Sequence, residues 1–140
     1  MKYTIPFLLF SNNLNLYIMC LIYAKIKETT EDIVCYKVYI SFEGKLRSPF
    51  MRSLAPNMNE VAKTYLEEPH GKGNCIERGF HSFANLKDAL KIGADIPQLF
   101  DMVVIKCVIP KGSKCYEGSF WGMTSYCSES IILKETIDVE

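Results

Sequence analysis

Three short stretches carry residue types able to do chemistry. In "GFHSF", His81 follows Gly79 by two positions and lies between Phe80 and Phe83. An imidazole there orients a ligand, or moves a proton near neutral pH, once a second acid–base group meets it. The plain alternative is a half-buried histidine bonded to backbone. In "KCYEG", Cys115, Tyr116 and Glu117 come in succession behind Lys111 and Lys114. Two such cations favour a thiolate at Cys115, although no histidine or asparagine partner can be assigned to it from sequence. The "KGSK" stretch, residues 111–114, lacks the glycine spacing and the following helix that phosphate-binding loops use. Pro110 and Gly112 therefore read as a turn, one removing a ladder donor and the other accepting turn conformations.

Beside His81, the candidate catalytic groups are Tyr36, Glu117 and Glu129, the two carboxylates falling near the final strands. Candidate ligand contacts are Trp121, Phe83, Tyr116 and Lys111, the rings by stacking and the amine by charge. "EGSFWGMTSY" flanks Phe120 and Trp121 with Gly118 and Gly122, which predicts a mobile loop presenting an aromatic. Each has a bland counterpart: strand aromatics fill cores and strand-end glutamates are solvated. No metal site is predicted, because His70 and His81 do not pair with cysteines at zinc-binding spacing.

The elements that must position these residues follow from periodicity. "DIVCYKVYISF" alternates, with Val34, Tyr36, Val38 and Ile40 on one face and Ile33, Cys35 and Tyr39 on the other, so it predicts a strand covered on both sides. "DMVVIKCVI" predicts a second such strand, interrupted only by Lys106, and the two are expected side by side at the middle of one sheet. "NMNEVAKTYLEE" places Met58, Val61, Ala62 and Tyr65 at helical spacing and predicts a helix that Pro69 stops. "CIERGFHSF" predicts a short strand broken at Gly79 by a bulge or a close backbone approach. "NLKDALKIGA" predicts a second helix, with Asn85 as cap and Gly93 at its exit, and "SESIILKETI" a last strand. The expected architecture is α+β, a mostly antiparallel or mixed sheet with two short helices.

Apolar residues at 49% and charged residues at 23% give a globular balance, not a disordered one. Sixteen basic residues cancel sixteen acidic ones, which removes any overall attraction to nucleic acid or acidic lipid. "MKYTIPFLLF" imitates a secretory signal, but "SNNLN" interrupts it, no small-x-small cleavage site follows, and the run is too short to span a bilayer. Residues 1–18 are read as an extension or a start-site artefact, and 19–140 as a single domain. The cysteines, Cys20, Cys35, Cys75, Cys107, Cys115 and Cys127, form no CxxC pair. They are read as reduced thiols of a cytoplasmic protein, against a secreted disulfide framework.

From Met19 onward, "GFHSFANLKDAL" and "VVIKCVIPKGSKCYEG" resemble a group of small uncharacterised proteins of gut Bacteroidetes and their phages, a likeness that brings no activity with it. More distantly, the order of parts is similar to the ADP-ribosyltransferase fold. Gly79, Phe80, His81, Phe83 and Ala89 match its glycine-aromatic strand and following helix, and Val103 to Gly112 its long apolar strand. That resemblance implies a cleft for NAD or a nucleotide-like ligand. Tyr36 and Lys37 stand where the family carries Arg or His, and Asp101, Met102 and Lys106 where one branch carries its catalytic glutamate. The first expectation is therefore a binding or accessory protein without turnover or cofactor, whose partner is a protein or a nucleotide-like molecule. The alternative is an NAD-using ADP-ribosyl-transferring enzyme built on Tyr36, His81 and one of Glu117 or Glu129.

Overall fold

The computed structural model describes residues 20–49, 53–95 and 101–138. Along the chain it forms β1 (Ile22–Ile26), β2 (Ile33–Phe42), β3 (Lys45–Arg47), β4 (Val61–Lys63), β5 (Phe80–Phe83), α1 (Leu86–Ala94), β6 (Asp101–Ile109), β7 (Cys115–Phe120), β8 (Met123–Ser128) and β9 (Ser130–Ile137). The two most apolar segments pair as expected. β2 and β6 run antiparallel in unbroken register, from Ile33 opposite Ile109 to Ser41 opposite Asp101. Around them the strand order is β1-β7-β8-β5-β2-β6-β9-β4, with β3 folded back on β2. The strands at either end of the stretch β8-β5-β2-β6-β9 are separated in sequence by Glu129 alone. One bent strand therefore borders both sides, and the sheet must curl back on itself.

Curling gives the sheet an inside and an outside. Inside lie Cys35 and Tyr39 of β2, Ile105, Cys107 and Ile109 of β6, Cys115 of β7, and Ile131 and Leu133 of β9, all buried. On the outer face Val38, Ile40 and Val104 meet α1 through Ala89, with Phe83 and Phe120 alongside. A third cluster, Leu21, Ala24, Leu66, Ile76, Tyr116 and Cys127, lies beneath the segment 64–78. The alternation read in β2 and β6 is the alternation between the first two clusters, as the period-2 pattern requires.

The α+β expectation with two helices is corrected: the described residues form a mostly antiparallel β-sheet with one short helix. The helix expected over "NMNEVAKTYLEE" is absent. Asn59 takes φ 62, a left-handed conformation that stops a helix at its first turn and that asparagine adopts readily. Val61 to Lys63 instead pair with Ile132 to Ser130 of β9, and the flanking Asn59 and Thr64 amides bond to the Leu133 and Glu129 carbonyls at 2.7 and 2.9 Å. Ladder bonds to a buried strand outweigh the weak propensity of the segment. The second helix forms as expected behind Asn85, whose carbonyl accepts from Asp88 and Ala89, although its side chain makes no capping bond. Gly93 lies inside that helix, packed against Met102, instead of at its exit. The expected mobile loop around Trp121 is a two-residue turn between the paired Phe120 and Met123, with φ 54 at Trp121 and 81 at Gly122. Positive φ at both positions matches the right-handed twist of the flanking strands. The N-terminal extension expected over 1–18 lies outside the described residues.

Gly79 is where the segment 64–78 meets β8. Its φ is 146, and a Cβ there would stand 2.5 Å from Cys127 Sγ and 2.7 Å from Leu66 Cδ1. Gly79→Ala is expected to cost about 2–4 kcal/mol through backbone strain and overpacking together. The urea midpoint of unfolding reads it, and an unchanged midpoint would show that the close approach constrains nothing.

Candidate functional site

β5 is registered with β8 from Phe80 opposite Ser128 to Phe83 opposite Ser125, but with β2 it shares only Tyr36 opposite Phe83. Beyond that pair the two strands diverge, and the gap is bridged by a side chain. Lys37 Nζ donates to the His81 carbonyl at 2.6 Å. The same amine lies 5.4 Å from the Tyr39 ring centre. Burial holds the Lys37 amine below the usual lysine range, against the opposing pull of the Cys107, Cys35 and Cys127 thiols. Lys37 was not among the residues singled out; its signal is a lone cation inside the otherwise apolar "VCYKVYI".

His81 is 9% exposed and its Nε2 lies 2.8 Å from the Glu77 carbonyl and 3.7 Å from Cys127 Sγ. A carbonyl only accepts, so Nε2 carries the proton and donates, and Nδ1 is the bare acceptor. Nδ1 is buried and meets no donor among the described residues. Protonating it would place a buried N–H with no acceptor. Burial above all, with Lys37 nearby, pushes the His81 pKa down to about 4, although the Glu77 carbonyl opposes this. The ring is a neutral, fixed part of the core at pH 7.

The other nominated residues do not gather around it. Tyr36 packs on the outer face with α1, and Phe83, 2% exposed, fills the same cluster. Glu117 lies on β7 with its Oε1 3.6 Å from Lys27 Nζ. Glu129 sits at the corner between β8 and β9, where its Oε2 accepts the Lys114 amide at 2.9 Å and its own amide donates to the Lys114 carbonyl at 3.1 Å. Trp121, 44% exposed, is at the opposite end of β8, about 25 Å away along the strand. Tyr116 is buried, and its hydroxyl donates to Glu68 Oε1 at 3.0 Å. Lys111 is exposed; its amide donates to Asp32 Oδ1 at 2.8 Å. Cys115 is a core thiol, which burial pushes up to about 12 despite Lys27 beside it. The eight nominated residues are therefore a core histidine, two rings of the outer cluster, Tyr36 and Phe83, four residues bonded within the fold, Glu117, Glu129, Tyr116 and Lys111, and a hairpin tip, Trp121.

A cleft of about 300 Å³ lies elsewhere, between the β1–β2 connection and the β6–β7 turn, lined by Ile26, Lys27, Glu28, Thr29, Thr30 and residues 112–115. The "KGSK" amides there are used internally: Gly112 donates to the Thr29 carbonyl, Ser113 to Pro110 and Lys114 to Glu129. The Lys114 amine is held by Glu68 at 2.7 Å and Lys27 by Glu117. The turn reading of that stretch holds, and its donors are not directed at a phosphate.

Alongside the cleft runs the outer edge of β1. Ala24 and Tyr23 turn their amides away from β7, to the Asn74 and Gly73 carbonyls at 3.2 and 2.6 Å. Lys27 turns its amide inward, to the Cys115 carbonyl at 2.9 Å. By alternation Ile26 and Glu28 face outward. The segment 73–76 thus covers the edge only as far as Ala24, and among the described residues none bonds to the edge at Ile26, which is 74% exposed.

Among the described residues, no group of three or more His, Cys, Asp or Glu side chains is placed to hold a metal, and no helix is long and apolar enough to cross a membrane. No family model, no curated protein and no solved structure matches the chain.

The histidine has a consequence for stability. Its pKa is lower folded, at about 4, than the ordinary 6.5. Between those values the unfolded chain binds the extra proton, so the contribution is complete above pH 6.5 and is lost as pH falls toward 4. The loss amounts to about 3 kcal/mol. Chemical denaturation from pH 7 to 4 should show it, and His81→Gln should flatten that slope. An imidazole NMR titration of His81 with a midpoint near 6.5 would contradict the burial argument.

Proposed function

We propose that this protein is a cytoplasmic binding or accessory protein without catalytic turnover, which recognises an extended segment of a partner protein by adding it as a strand to the free edge of β1. The carrying observation is the outward edge of β1 at Ile26, which no other described segment covers, beside the 300 Å³ cleft. Strand addition draws affinity from main-chain hydrogen bonds and specificity from pockets for alternate side chains. The edge at Ile26 and Glu28 supplies the first, and the cleft, with room for one large side chain, supplies the second. Ile26, 74% exposed, sets a large aliphatic side chain on that edge between Lys25 and Lys27, an exposure natural sheets avoid unless the edge is used. The cytoplasmic setting is supported by six free cysteines.

A nucleotide-like ligand is the weaker reading of the same cleft, since both lysine amines are already paired with carboxylates and the turn amides are consumed. The ADP-ribosyl-transferring alternative needs Tyr36, His81 and a glutamate on one concavity, and they stand on different faces and ends of the sheet.

An array of immobilised extended hexapeptides tests the reading. Peptides with an apolar residue at alternate positions should bind, and Ile26→Pro should lose them at least tenfold. Proline is tolerable there because the Ile26 amide does not feed the β7 ladder. Trp121→Ala, at the far end of β8, should bind as before. A blank array, unaltered binding by Ile26→Pro, or nicotinamide release from NAD would each refute it.

A further inference from the structure

Two cysteines face each other across the covered half of that same edge. Leu21 and Ile76 exchange backbone hydrogen bonds, amide to carbonyl in both directions, at 2.9 Å. Both side chains are fully buried. In an antiparallel pair the neighbours of an inward residue point to the other face, so Cys20 and Cys75 lie together on the outer side, as diagonal neighbours. Both are half-buried, and Cys75 lies near enough to help raise the Cys20 thiol's pKa. The remaining four cysteines are different. Cys35, Cys107 and Cys127 have no exposed surface and Cys115 has 2%. Cys35 and Cys107 also stand directly opposite one another in the central ladder, but no reagent reaches them.

We infer that Cys20 and Cys75 are a reversible disulfide site that fastens residues 73–76 onto the outer edge of β1. The bond requires the two Cα atoms within about 6.8 Å, roughly 1 Å closer than an ordinary diagonal pair. Cys75 closes a tight turn, its amide and carbonyl both bonded to His70 at 2.8 and 3.0 Å, and Cys20 lies just before β1. The partner oxidant is a small disulfide such as oxidised glutathione. A Cys75 thiolate attacks one of its sulfurs and expels a glutathione thiolate, leaving a mixed disulfide. Cys20, having given up its proton, attacks the Cys75 sulfur and expels the second glutathione. Two protein thiols become one disulfide, and one glutathione disulfide becomes two thiols. Burial above all, with Cys75 beside it, holds the Cys20 thiol up at about 12, so little of it is thiolate at neutral pH and the second step is the slow one. In a reducing cytoplasm such a bond is transient and responds to oxidative load.

This site stands whether or not a partner strand adds at Ile26, because it concerns the half of the edge that the chain itself covers. The test uses the full chain, incubated with oxidised glutathione, quenched by alkylation and mapped by non-reducing peptide mass spectrometry. A Cys20–Cys75 cross-link is expected, reversed by dithiothreitol, with the other four thiols alkylated only after unfolding. Amide exchange at Leu21, Tyr23, Ala24 and Ile76 should slow at least tenfold on oxidation. In Cys20→Ser, Cys75 should collect glutathione without a cross-link. Six free thiols after oxidation, glutathione on both cysteines with no link between them, a link elsewhere, or a link with unchanged exchange would each overturn the proposal.

Discussion

The β2–β6 ladder is the constraint on which the remaining structure depends. Its register, Ile33 opposite Ile109 through Ser41 opposite Asp101, sets Cys35, Tyr39, Ile105, Cys107 and Ile109 facing inward and Val38, Ile40 and Val104 facing α1. A slip of one residue would exchange the two sets and turn the Lys37 amine away from the inner core. β6 then recruits β9 on its far side, from Val104 opposite Ile137 to Val108 opposite Ile132, and β9 in turn holds β4.

Lys37 shows how that ladder accommodates its own imperfection. β5 leaves β2 after a single pair, so the His81 carbonyl would be left inside the fold without a ladder partner. A buried carbonyl without a donor is costly, and an amine on a flexible stem reaches where a second strand cannot. The arrangement in turn fixes the electrostatics of His81: burial and the cation on its carbonyl side favour the neutral ring, and outweigh the Glu77 carbonyl at Nε2, which favours the charged one. The polar residues at the centre of this protein serve its architecture.

Much of the fold was legible because burial on both faces writes itself into sequence. Apolar alternation located β2 and, despite Lys106, β6, and the missing side chain at Gly79 announced a close approach that Cys127 and Leu66 indeed make. Periodicity failed at Met58, Val61 and Tyr65, which have helical spacing but are exposed, while the backbone of 61–63 serves β9. The candidate site was barely legible, since its geometry arises from partners remote in the chain. Glu129 and Lys114, or Lys37 and His81, meet only because of cross-strand register, and the openness of the β1 edge depends on where residues 73–76 come to lie.

The passage of β8 into β9 across Glu129 bears on how the molecule can be made. Ring closure awaits a strand that emerges from the ribosome after nearly every other, so β5, β2 and β6 wait as an unsealed sheet with oily surfaces facing water. Such an intermediate is dominated by contacts between distant parts of the chain and is slow to mature. During that interval a holding chaperone, or rapid release of the finished polypeptide, decides between maturation and clumping.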